Sequence, residues 1–219
     1  MNQPVNVEQK TLNDILVWVA QRGDNIQDAP EQVQRIQELT APFFKKISIR
    51  ELETMLTVGA PRTVSMLNKN AFIYLPPIEN GGWLVPILRV EYNYAVETPE
   101  LSLKVALFLI SENDSQETLK AVGYRFETPH EQVRHHYCHI QLVNGFDRDN
   151  KRWILPGTEW VPTNYPAFPI DAQDPIELLV CMLVSLYDLA IIKNLEGKFK
   201  ALIKSNIKKM KLYGFITQL

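Results

Sequence analysis

Cysteine is nearly absent from this chain. Among 219 residues only Cys138 and Cys181 carry a thiol, too few for a disulfide framework, and the pair fits a reduced, cytoplasmic setting. An excess of either charge is missing too. Lys and Arg number 23 against 25 Asp and Glu, a formal net charge of -2, so no global field argues for nucleic acid or a membrane surface. No apolar run reaches the roughly 20 residues that a membrane span needs; the most apolar one is bracketed by Glu177 and Asp188. The opening Met1-Asn2-Gln3-Pro4-Val5-Asn6 lacks the basic region and apolar core of a signal peptide. No Cys-x-x-Cys or His-Glu-x-x-His spacing occurs, which removes the common zinc signatures. What remains is an ordinary globular composition, 46% hydrophobic and 22% charged, in a chain long enough for a substantial core.

The front of the chain reads as helical. Leu12, Ile15, Leu16 and Val19 recur at helical spacing within residues 8 to 21. A second helix starts at Asp28-Ala29-Pro30-Glu31, carries Val33, Ile36 and Leu39, and reaches Pro42. A third begins at Ser48 with Glu51 three residues on, the capping-box pattern, and ends near Gly59. Residues 61 to 70 read as a short fourth helix. The third and fourth together have the outline of a helix-turn-helix, whose second helix would offer Arg62, Asn68, Lys69 and Asn70 to phosphates and base edges. A helical cap packed on a sheet is the other reading.

After Ala71 the texture changes to strands. Residues 71–75, 83–96, 101–110, 119–127 and 134–143 are rich in β-branched and aromatic residues, and short turns separate them. Five consecutive strands of this kind predict an antiparallel meander. From Asn144 to Asp174 prolines and aromatics lack periodicity, which predicts an irregular ordered loop pressed on the sheet. Pro175 opens a helix apolar around most of its circumference, hence buried. A last helix carries Lys193, Lys198, Lys200, Lys204, Lys208, Lys209 and Lys211 against one acid, Glu196. It is either a solvated amphipathic helix or a contact for phosphate, an acidic partner or an anionic surface.

All four histidines, His130, His135, His136 and His139, fall within the last predicted hairpin. Side chains alternate along a strand. His135, Tyr137, His139 and Gln141 share a polar face; His136, Cys138, Ile140 and Leu142 share the face expected to meet the core. On the preceding strand Arg125 and Glu127 share a face, and antiparallel pairing could bring them beside His135 and His139 in a register that sequence alone does not fix. A metal site is disfavoured by reach, because i and i+4 on a strand lie about 13 Å apart. Acid–base chemistry on an ester or phosphodiester would use His135 and His139, with Arg125 or Arg134 neutralising developing charge and Glu127 or Tyr137 orienting an imidazole. A Cys138 nucleophile beside His136 would sit on the core face, where a thiol is inert. A hydrogen-bonded network that fixes strand register is the structural reading.

The order Tyr124-Arg125-Phe126, then His135-x-x-x-His139-x-Gln141, then a proline-rich loop and an apolar helix from Pro175, resembles uncharacterised bacterial proteins encoded near mobile-element and phage-defence genes. The resemblance covers about residues 120 to 190 and implies a bacterial cytoplasmic setting and work in a multi-protein system. The meander, loop and long helix are also similar to the ubiquitin-conjugating fold. That family carries its reactive cysteine on a loop after the sheet, whereas Cys138 is read here as mid-strand.

The expectation is an α+β protein: a helical region over residues 1–70, then a five-stranded, mainly antiparallel sheet with two C-terminal helices packed on it over residues 71–219, the two forming separate regions or one domain. The expected function is a non-enzymatic accessory or interaction subunit with a protein partner, reaching nucleic acid through Lys198, Lys200, Lys204, Lys208, Lys209 and Lys211. The alternative is a small metal-independent nuclease or hydrolase built on the His/Arg face. No cofactor or metal is expected.

Overall fold

The computed structural model of the chain describes residues 7–24, 29–57, 63–66, 71–79, 82–95, 98–113, 116–129, 137–148, 151–159, 161 and 166–187. Within them the protein is α+β, with four helices and a mixed sheet. Helix α1 (Val7–Asp24) turns Leu12, Ile15, Leu16 and Val19 into the core, as their spacing requires. Helix α2 (Glu31–Thr40) follows Pro30 and buries Val33 and Ile36. Helix α3 (Ile49–Thr57) begins on a complete capping box. The Glu51 amide donates to Ser48 Oγ at 3.2 Å, and the Ser48 amide donates to Glu51 Oε2 at 2.8 Å. Ser48→Ala removes the cap and is expected to lower stability by about 1 kcal/mol, read as a shift in the urea midpoint at unchanged slope.

The sheet is larger than the five strands expected, and it is not purely antiparallel. It contains β1 (Lys45–Lys46), β2 (Thr63–Ser65), β3 (Ala71–Tyr74), β4 (Ile78–Glu79), β5 (Trp83–Asn93), β6 (Glu100–Asn113), β7 (Gln116–Glu127), β8 (His139–Val143) and a later strand, Ala167–Pro169. β1 pairs with β3 in parallel; every other pairing in the sheet is antiparallel. The meander expected from sequence is its centre, β5–β6–β7–β8.

Residues 63–65, expected as part of a helix, are strand. Thr63 and Ser65 pair with Asn93 and Glu91 at the far end of β5, and Val64 points into the core. Two β-branched residues offered a ready ladder outweigh a weak helical spacing. Strand at 63–65 takes the place of the middle of the expected second helix, which removes the helix-turn-helix outline there; Arg62, Asn68, Lys69 and Asn70 lie outside the described residues.

The stretch from Asn144 to Asp174 is likewise more regular than expected. It holds a hairpin of β9 (Gly145–Arg148) and β10 (Lys151–Ile154), and β11 (Ala167–Pro169), which pairs with β8. Asn144 ties the stretch together: its amide donates to the Val161 carbonyl at 2.7 Å, and its Oδ1 accepts from Arg152 Nη2 at 2.7 Å. Gly123 on β7 admits the segment closely. A Cβ there would lie 2.6 Å from Leu155 Cδ1 and 2.6 Å from the Val143 carbonyl oxygen.

Strand alternation divides the core in two. Leu88, Val90, Leu101, Leu103, Val105 and Phe126 face α1, α3 and α4 (Pro175–Tyr187). On the opposite face Val85, Ile87, Ala106 and Phe108 pack with α2, Phe44, Phe72, Phe146 and Leu155. This second core covers only one end of its face. At the other end the same alternating positions are polar. The last helix expected from sequence lies outside the described residues.

Candidate functional site on the polar sheet face

The register of the meander builds this site. Glu91 on β5 opposes Ser102 on β6, Ser102 opposes Glu127 on β7, and Glu127 opposes His139 on β8. One row nearer the aromatic core, Arg89, Lys104, Arg125 and Gln141 follow one another across the same four strands. Paired positions on antiparallel strands share a face, so two polar rows lie side by side.

Glu127 is the centre of the array. One carboxylate oxygen, Oε1, accepts from Ser102 Oγ at 2.9 Å; the other, Oε2, lies 3.4 Å from His139 Nε2 and 3.1 Å from Arg125 Nε. The Arg125 contact is an ion pair whose Nε–H is aimed off the line of a hydrogen bond. Arg125 Nη2 donates to Gln141 Oε1. The Glu127 side chain is 13% exposed. Burial alone would raise its pKa, but the His139 hydrogen bond, the Arg125 charge and the Ser102 hydroxyl outweigh burial and bring it down to about 2.

His139 is 3% exposed. Its Nε2 faces Glu127, and its Nδ1 lies 3.4 Å from the Tyr137 carbonyl. Ser102 donates to the carboxylate, not to the imidazole, so no serine–histidine relay forms here. Of the pairings the hairpin left open, the register realises Glu127 with His139 and sets Arg125 opposite Gln141.

Tyr137 and Cys138, expected within the strand, precede β8, which begins at His139. Tyr137 is 41% exposed, with its ring edge-on to His139 at 6.2 Å. Cys138 is buried as expected. Burial first, then Asp174 and Glu177, push its thiol up to about 12, so it carries no nucleophile at neutral pH. His135, like Lys198, Lys200, Lys204, Lys208, Lys209 and Lys211, lies outside the described residues.

Ser102, Arg89, Glu91 and Lys104 escaped the sequence reading. The available signal was charge at alternate positions inside otherwise apolar strands, Arg89-Val90-Glu91 and Ser102-Leu103-Lys104. Among the described residues no group of three His, Cys, Asp or Glu side chains is placed to hold a metal.

These features define an α+β protein with a buried carboxylate–imidazole–guanidinium network on one sheet face. No protein-family model, curated protein or solved structure matches the chain.

Proposed function

We propose that this chain is a non-enzymatic accessory or interaction subunit of a bacterial multi-protein system, phage defence among the settings. It engages a protein partner and touches nucleic acid through Lys198, Lys200, Lys204, Lys208, Lys209 and Lys211. The observation that carries the non-enzymatic part is the placement of His139, buried with both ring nitrogens on acceptors inside the protein. A general acid or base must come within hydrogen-bonding reach of a substrate proton. The same groups joined as a network stabilise the pairing of β7 with β8. The bacterial setting rests on the resemblance over residues 120 to 190, and the nucleic-acid contact rests on the lysine pattern of the sequence.

The test compares wild type with His139→Ala. The variant is expected to lose about 1–3 kcal/mol, a thermal midpoint lower by several degrees. Neither protein is expected to turn over a phosphodiester or carboxylic ester, with or without chelator. Turnover in wild type that His139→Ala abolishes at an unchanged midpoint would instead establish the hydrolase. Binding to a labelled single-stranded oligonucleotide should weaken steeply with salt. Replacing the six lysines by Gln should flatten that slope.

A further inference from the structure

We draw no further inference here: the strongest candidate, the outer edge of the β6–β7 hairpin at residues 109–113, where among the described residues no strand pairs with β6 on its β5 side, carries nothing because nothing in the structure shows what covers it.

Discussion

Glu127→Gln is expected to destabilise the folded protein by about 3 kcal/mol at pH 7, with the loss fading under acid conditions. The carboxyl lies at about 2 in the fold against an ordinary value of 4.5, and each unit of difference is worth about 1.4 kcal/mol. Its folded-state pKa is lowered, so the native state holds the proton less tightly than the unfolded chain does. The contribution is therefore complete above about pH 5, declines as pH falls from about 4.5 toward 2, and is absent below that. Glutamine keeps the shape and a hydrogen-bond acceptor but leaves Arg125 and His139 without the charge they face. Urea unfolding of both proteins at pH 7 and at pH 2.5 measures this directly. The gap between them should be wide at pH 7 and largely closed at pH 2.5. An equal gap at both would mean that the carboxylate charge is not what holds β6, β7 and β8 together at this row.

The second large effect belongs to the other end of the same face. Phe44→Ala should cost about 3–5 kcal/mol, since a buried aromatic is removed and the cavity left behind can close only in part. Phe44 lies edge-on to Phe72 at 4.4 Å and to Trp153 at 4.8 Å, with Phe108 at 5.6 Å and Phe146 at 6.1 Å. It joins α2, the sheet and the β9–β10 hairpin, and each would lose a packing partner at once. Phe43, stacked on Trp153 at 4.8 Å but 39% exposed, sets the comparison. Phe43→Ala should cost about 1 kcal/mol or less, because much of its surface is already in water. The urea midpoints of the two variants should therefore separate widely. Similar midpoints would mean that the hairpin does not depend on Phe44.

The elements that could be read from sequence were those whose signal is local. Leu12, Ile15, Leu16 and Val19 declare α1 by spacing alone, and Ser48 with Glu51 declares the start of α3 within four residues. The long strands β5, β6 and β7 declare themselves by alternation. Three-residue strands do not. Thr63–Ser65 is strand because β5 presents Glu91, Tyr92 and Asn93 to it, a partner nearly thirty residues away. Lys45–Lys46 has no apolar residue to mark it, and β11 contains Pro169.

The site divides in the same way. One hairpin and its alternation put Glu127 and His139 within possible reach, and the β7–β8 register then paired them. Ser102, Lys104 and Arg89 required the β5–β6 and β6–β7 registers, which no local pattern fixes. The burial of His139 agrees with the structural reading of the hairpin, though the sequence left it open against a solvent-facing one. Its face reads as polar along the strand, and only tertiary contacts decide whether a polar face is wet.

The two ends of the sheet path carry a consequence for the protein at high concentration. One end is Lys45–Lys46, two residues long and charged, and the other is Ala167–Pro169, three residues long and closed by an imino acid that has no amide hydrogen to donate. Neither presents the long, flat, unpaired backbone that templates strand addition from a second molecule. The long β6 and β7 strands are paired on both sides over part of their length, β6 with β5 over residues 100–108 and β7 with β8 over residues 123–127. At these two ends of the described sheet, pairing with a strand of a second molecule is thereby disfavoured.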